Sequence, residues 1–189
     1  MENESLFRNR RTVRLYEQRQ VADELLEKVL DAARLAPCAA NRQRLRYVVA
    51  RTPEIVSKLL PLTKWAMHVS PHRTPVQGES GPAAFIAVIG PREGNAYIHA
   101  DAGAAIGYIQ LAASCLGLGS CWLASVEREE AAAVLGLSVD EELLYLVSVG
   151  YPAEKPVLDD NASETAYYLD DAGVLHVRKL PLDVIARWM

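Results

Sequence analysis

The feature of this sequence that most constrains its fold is a continuous apolar run, AAFIAVIG, at residues 83–90. Pro82 and Pro91 bound the run, which has the length of a strand. Because it has no polar face, it predicts a strand that is covered on both sides. Further strands are predicted from β-branched and aromatic residues at LRYVVAR (45–51), SCWLAS (120–125) and ELLYLVSVGYP (142–152).

Helical segments alternate with these strands. VADELLEKVLDAARLAP (21–37) carries one apolar stripe at the helical period, and Asp23 and Glu24 stand at its electropositive start. Further helices are predicted at 53–62, which Pro53 opens, at 96–116, which Asn95 caps, at 128–137, which Gly136 ends, and at the closing LDVIARWM. The segment AYYLDDAGVLHVRK (166–179) predicts a hairpin that turns at Asp171-Ala172-Gly173. The order lacks a regular βαβ rhythm, so the sequence predicts a single α+β domain over residues 1–189.

Segment 96–118 is apolar and long enough to span a bilayer, but it contains Asp101, whose charge is costly there. We therefore expect a helix that is buried in protein. Its small residues, which include Gly103 and Gly107, allow close backbone approach and suit either a dimer contact or an internal core position. Segment 63–82 lacks periodicity and predicts a functional or mobile loop.

The formal net charge of −4 argues against a general nucleic-acid binder, which carries a net basic field. Cys38, Cys115 and Cys121 are an odd number without zinc-site spacing, which favours free thiols in a reducing compartment. The N-terminal MENESLFRNRR has no apolar stretch of a secretory signal. The sequence therefore predicts a cytoplasmic protein.

Positive charge is nevertheless concentrated in RNRRTVR at residues 8–14, where four arginines surround Thr12. One interpretation is a solvated arm, or arginines that pair with the chain's own carboxylates, and composition alone favours it. The other is a phosphate site, because guanidinium forks and a hydroxyl group suit phosphate oxygens.

Two further stretches favour the phosphate interpretation. Asn41 and Gln43 lie between a helix and a strand, and their amides offer the paired donor and acceptor that the pyrimidine edge of a flavin requires. GYPAEKP (150–156) follows the last core strand and leads towards Arg178 and Lys179, a second source of positive charge.

Common catalytic motifs are absent from the sequence. GLGSCW (117–122) has tryptophan at its sixth position and precedes a strand, which is the reverse of the order in a dinucleotide-binding turn. The sequence has no GxxxxGK[ST] loop, HExxH helix or GxSxG elbow.

These motifs resemble those of the FMN-dependent nitroreductases, in the same order along residues 6–156. RRTVRLY is similar to the family's RRSxRxF, APCAANRQRLRYVV to APSxxNxQPWxFVV, GLGSCWLAS to GLGxxWxxx, and GYPAEKP to the turn after the final core strand. The resemblance implies a three-layer sandwich, in which helices flank a mostly antiparallel central sheet, and a homodimer with two FMN sites at its interface.

The resemblance also implies a role for each site residue. Arg10, Arg11 and Thr12 would bind the FMN phosphate, and Arg14 would reach the flavin N1–C2=O edge, where its charge favours reduced flavin. The remaining implied contacts are Pro37, Cys38, Asn41 and Gln43 from the partner subunit, Trp122, Leu123, Ala124 and Ser125 against the ring, and Arg178 and Lys179 at the phosphate.

The sequence departs from the family pattern at several positions, which include Thr12 for serine and Tyr16 for phenylalanine in the first motif. Cys38 replaces the usual serine, and Arg44 and Leu45 replace the usual Pro-Trp, which bears on the pocket edge and on substrate choice. An alternative interpretation of Cys38 is a reactive thiol, although the sequence shows no base beside it.

The implied activity is the reduction of nitroaromatics, quinones or similar acceptors by NADH or NADPH, in a ping-pong cycle. No catalytic side chain and no metal are implied, because the flavin carries the chemistry. Two alternatives stay open: a flavin-binding protein that lacks reductase turnover or carries out another conversion, and a flavin-free protein whose basic arm binds nucleic acid or a partner.

Overall fold

The centre of the structure, a computed structural model that describes residues 2–93 and 96–189, is a four-stranded antiparallel sheet. Its strands are β1 (Arg46–Ala50), β2 (Ala84–Pro91), β3 (Gly119–Leu123) and β4 (Glu141–Gly150), in the spatial order β1-β2-β4-β3. The apolar run forms β2, whose residues 84–89 are at most 1% exposed. The predicted strand covered on both faces is therefore confirmed.

Helices cover both faces of this sheet because the side chains of β2 alternate between two cores. Ala84, Ile86 and Val88 pack against α2 (Asp23–Arg34) and α4 (Ile98–Cys115). The intervening residues of β2 pack on the opposite face, against α3 (Pro53–Leu59) and α5 (Arg128–Leu135). The arrangement is the three-layer α+β sandwich that the sequence predicts.

Most helix predictions hold, and their ends have local causes. Helix α2 starts at Asp23 because Ala22 has extended backbone angles. Segment 53–62 is α3 followed by a 3₁₀ turn at Leu60–Leu62, where Pro61 supplies no backbone N–H. Helix α5 ends before Gly136, whose φ of 67° lies in the left-handed region that glycine adopts without strain. The predicted cap Asn95 lies outside the described residues.

The tail forms a small three-stranded sheet beside the main one. Strands β5 (Val157–Asp159), β6 (Tyr168–Leu169) and β7 (Leu175–Arg178) lie in the order β5-β7-β6, and α6 (Leu182–Ile185) follows. The predicted hairpin is β6 and β7, and its turn is held by Asp170 Oδ1, which accepts the N–H groups of Ala172 and Val174.

Helix α4 has two different faces. One face, which includes Ile106 and Ile109, is fully buried in the core, whereas the opposite face carries Gly103, Gly107 and the exposed Tyr108. Helix α4 is therefore a core helix, which was one of the two expectations. The dimer contact on its second face stays a prediction. Across residues 2–93 and 96–189, no helix is long and apolar enough to cross a membrane.

Candidate functional site

The arginine arm, which we define as residues 10–16, lies along the open edge of β3. Thr12 pairs with Ser120 in parallel register, and the Val13 N–H donates to the Ser120 carbonyl oxygen at 3.0 Å. The arm therefore continues the sheet beyond its edge strand, and β3 and the arm together form the floor of the candidate site.

Tyr16 anchors the far end of the arm. Its side chain is fully buried, and its hydroxyl lies 2.7 Å from both the Val13 carbonyl oxygen and Ser148 Oγ. Two glycines permit this approach, since a Cβ on Gly119 would stand 2.7 Å from Val13 Cγ1 and one on Gly150 would stand 2.8 Å from Tyr16 Cδ1. The position of the arm thus depends on close backbone packing.

A small pocket of about 190 Å³, the basic pocket, opens between the arm, α4 and the turn at 150–156. Its described lining includes three cationic side chains and several polar ones: Arg10, Arg11, Lys155, Gln110, Ser114 and Ser120. Arg10 and Arg11, which the resemblance assigns to the phosphate, therefore line one pocket together with Lys155, which sequence reasoning overlooked. Its position inside the GYPAEKP motif is the sequence signal from which this lysine could have been predicted.

The electrostatics of the basic pocket favour an anion. Burial lowers the pKa of Arg10, and burial followed by repulsion from Arg10 and Arg8 lowers the pKa of Arg11. Arg11 Nε is buried and has no hydrogen-bond partner in the described structure, although its terminal nitrogen donates to the Phe7 and Arg8 carbonyls. A bound phosphate would compensate these crowded cations.

A larger cleft of about 650 Å³, the strand-end cleft, begins where β3 ends. Arg14 lines it together with Trp122, Leu123, Ala124 and Ser125, so the structure brings these five predicted residues together. Residues 63–67 of the predicted loop form another wall. Since Ser120 lines the basic pocket and Cys121 lines this cleft, the two openings adjoin along β3.

A buried ion pair supports the arm from below. Glu154 Oε1 accepts the backbone N–H groups of Arg14 at 2.6 Å and Leu15 at 3.2 Å. Glu154 Oε2 accepts from Arg73 Nε at 2.7 Å, and the two side chains are only 6% and 14% exposed. Sequence reasoning missed this pair, whose partners lie 81 residues apart and share no motif.

The segment at 37–43 lies elsewhere in the same chain. Pro37, Cys38 and Gln43 line a separate cleft of about 470 Å³ between α2 and α4, while Asn41 is exposed. The Ala39 N–H donates to Asp101 Oδ1 at 2.8 Å, which holds the loop on α4. One chain thus does not bring this segment to the arginine arm, and the prediction assigned it to the flavin of the partner subunit.

This segment is also conformationally unusual. Ala40, Asn41 and Gln43 have φ angles near +50°, a region that non-glycine residues seldom adopt. The Cys38 Sγ accepts the Gln43 N–H at 3.3 Å, so the thiol takes part in holding this backbone. Such strain is typical of functional loops that their surroundings hold in place.

The two tail residues are placed differently from the other predicted cations. The Arg178 guanidinium pairs with Asp159 at 3.4 Å and Glu164 at 2.7 Å, and it lies over the Tyr168 ring. Its charge is therefore compensated locally. Lys179 is exposed and is not among the residues that line the basic pocket, so Lys155 is the described lysine that joins Arg10 and Arg11 there.

Comparison with known proteins gives the same picture. The profile of the Nitroreductase family matches residues 7–151. A protein of Archaeoglobus fulgidus, provisionally named NADH dehydrogenase/NAD(P)H nitroreductase, is 35% identical over 154 residues, which cover 77% of this chain and 83% of the relative.

Solved structures agree with the sequence relatives. An FMN-dependent nitroreductase of Clostridium difficile is 25% identical, with a TM-score of 0.68 over 80% of this chain and 88% of that one. A provisionally named nitroreductase of Desulfovibrio desulfuricans, solved in complex with FMN, is also 25% identical, with a TM-score of 0.71 over 98% and 95%. The family profile covers the arginine arm, the strand-end cleft, the cleft between α2 and α4, and all four central strands. The chain therefore belongs to the nitroreductase family.

Proposed function

We propose that this protein is an NAD(P)H-dependent oxidoreductase that binds FMN along β3. The observation that carries the proposal is the basic pocket, where the side chains of Arg10, Arg11 and Lys155 meet beside the arm. A phosphate monoester fits this donor set, which consists of guanidinium and ammonium groups with serine hydroxyls at one end of a groove. The names of the relatives, which include FMN-dependent nitroreductase, support the same cofactor.

The residues divide into two groups along the groove. Arg10, Arg11 and Lys155 would hold the phosphate. Thr12, which pairs with Ser120 and lines neither the basic pocket nor the strand-end cleft, stays a proposed phosphate contact. That cleft would take the flavin ring, with Arg14 at the N1–C2=O edge and a backbone N–H of 122–125 towards N5. The proposal replaces Arg178 and Lys179 with Lys155 as the second source of phosphate charge, because Arg178 is already paired.

A second subunit would complete each site. Pro37, Cys38, Asn41 and Gln43 lie outside the cleft of their own chain that holds Arg14, and we propose that they reach the flavin of the partner in a homodimer. The part of α4 around Gly107, where a Cβ would meet nothing within 4 Å, is the proposed dimer contact.

Bound FMN would supply the redox chemistry, accepting hydride at N5 from NADH or NADPH and then reducing nitroaromatics, quinones or related acceptors. The chain would bind and orient the ring, exclude water and stabilise negative charge at N1 through Arg14. No side chain needs to act as an acid or base. Loop 63–82, as a wall of the strand-end cleft, would contact the acceptor and select it.

Anaerobic stopped-flow spectroscopy tests this proposal. Protein that has been incubated with FMN and freed of unbound flavin by gel filtration should be yellow, should bleach rapidly with NADH or NADPH, and should recover its colour when a quinone or nitroaromatic is added. Protein that retains FMN but does not bleach would instead be a flavin-binding protein without reductase turnover. Protein that is colourless after the unbound flavin has been removed would contradict the proposal.

A further inference from the structure

We propose that Arg73 is a positioning residue for the phosphate site, because it neutralises Glu154 and so allows a buried carboxylate to organise the arginine arm without repelling the phosphate. The inference rests on the proposed function and deepens it. Arg73 belongs to loop 63–82, outside every motif of the sequence analysis.

The first step concerns what Glu154 does for the arm. Its Oε1 accepts two successive backbone N–H groups, those of Arg14 and Leu15, and so fixes the direction in which the arm leaves β3. Charge-assisted bonds of this kind are stronger than neutral ones, which explains the use of a carboxylate. The side chain is 6% exposed, so water cannot screen its charge.

The second step concerns the cost of that charge. Glu154 also lines the basic pocket beside Arg10, Arg11 and Lys155. An unpaired carboxylate there would repel a bound phosphate as well as being costly to bury. Arg73 supplies the compensating cation through its Nε, 2.7 Å from Glu154 Oε2.

The third step concerns how Arg73 is held. Its terminal nitrogens donate to the Gly173 carbonyl in the tail hairpin, at 2.5 Å, and to the His72 carbonyl. The guanidinium therefore joins the loop, the tail and the turn at 150–156. A lysine in its place would keep the charge that neutralises Glu154 but lose this fork of hydrogen bonds, so the lysine variant separates the effect of charge from that of anchoring.

Titrations of the apoprotein with FMN and with riboflavin, followed by quenching of flavin fluorescence, separate charge from structure, because riboflavin lacks the phosphate. Arg73→Met should weaken FMN binding roughly tenfold or more and riboflavin binding by much less. The double variant Arg73→Met/Glu154→Gln should regain FMN affinity to within about threefold of wild type, because the carboxamide oxygen still accepts the two N–H groups. The FMN affinity of Arg73→Lys should also stay near that of wild type. The matched control is Arg51→Met, which removes an arginine from an exposed ion pair with Asp23.

Each result decides the inference. If Arg73→Met weakens FMN and riboflavin binding equally, the role of Arg73 is structural and the inference is overturned. Unchanged FMN affinity in Arg73→Met would also overturn it, as would a double variant that binds FMN as weakly as the single variant. If Arg73→Met does not fold, the double variant decides: FMN affinity near wild type supports the inference, and its loss overturns it. Wild-type protein that binds neither flavin would instead refute the proposed function, a result that these variants cannot imitate.

Discussion

At the scale of single residues, the candidate site depends on charged side chains that the fold brings together from distant parts of the chain. The arm was predictable from RNRRTVR because four arginines stand together in seven positions. The pairing of Arg73 with Glu154 was not predictable, because a contact across 81 residues leaves no local pattern. Lys155 was not among the predicted site residues, because only the folded turn shows that it lines the basic pocket with Arg10 and Arg11.

Arg14 should matter most for the flavin ring. Arg14→Ala is expected to lower FMN affinity by about tenfold and to slow flavin reduction, because a charge-assisted contact at N1 is lost. Arg14→Lys, which keeps the charge, should retain more of both. Fluorescence titration and anaerobic single-turnover reduction measure the two effects. Unchanged occupancy together with an unchanged reduction rate would remove Arg14 from the site.

Asp101 should control the loop at 38–41. Asp101→Ala removes the acceptor of the Ala39 N–H inside the protein, and we expect it to lower the free energy of unfolding by about 1–3 kcal/mol. Asp101→Asn keeps an oxygen for this bond and relieves the second, unpartnered carboxylate oxygen, so it should cost less. Urea denaturation of the three proteins gives the comparison. Equal stability of Asp101→Ala and wild type would show that the loop is held by other contacts.

At the scale of elements, strongly patterned segments were the predictable ones. The apolar stripe of α2 has the period of a helix, and the β2 run has the length and the flanking prolines of a buried strand; both predictions are confirmed. Helix α1 (Glu2–Asn9) was not predicted because ENESLFRN has only two apolar residues, Leu6 and Phe7, and the structure places it against α4 and β5. Tertiary contact, rather than local pattern, accounts for such an element.

The contact between the arm and β3 leads to a prediction about backbone approach. Gly119→Ala places a Cβ within 3.0 Å of three Val13 atoms, so we expect the arm to shift and FMN affinity to fall by at least about tenfold. Gly81→Ala is the matched control, because its nearest neighbours would stand at ordinary distances of 3.5 Å and beyond. Isothermal titration with FMN compares the two variants. Equal affinities would mean that the arm does not depend on this approach.

The open face of α4 leads to a prediction about assembly. Gly107→Arg meets no atom within 4 Å of its Cβ in one chain, so the subunit should fold normally. If the open face of α4 packs against a second subunit, the buried charge should dissociate the dimer and reduce FMN occupancy at the same time. Light scattering after size exclusion, with Glu129→Arg on the exposed face of α5 as control, measures the mass. A dimer of unchanged stability would place the interface elsewhere.

At the scale of the whole molecule, the buried thiol of Cys121 links stability to pH. Burial raises its pKa from 9.0 to about 11 in the folded protein. Because the folded-state value is the higher one, its contribution is complete below pH 9 and is lost as the pH rises to about 11. We expect the free energy of unfolding to fall by roughly 2–3 kcal/mol over this interval.

Urea denaturation at several pH values between 8 and 11 measures this dependence. Cys121→Ala should flatten it in part, while Tyr16, whose pKa burial also raises, should leave a residual slope in the same direction. The same pH dependence in Cys121→Ala and wild type would contradict the assignment to the thiol.

The account as a whole depends on one claim, that the basic pocket binds the phosphate of FMN. The most direct test is the ratio of FMN to riboflavin affinity in the apoprotein, measured for wild type and for Lys155→Met. We predict that wild type binds FMN at least about a hundredfold more tightly than riboflavin, and that Lys155→Met reduces this ratio by about tenfold without changing riboflavin affinity. Equal affinities of the wild-type protein for the two flavins would contradict the claim.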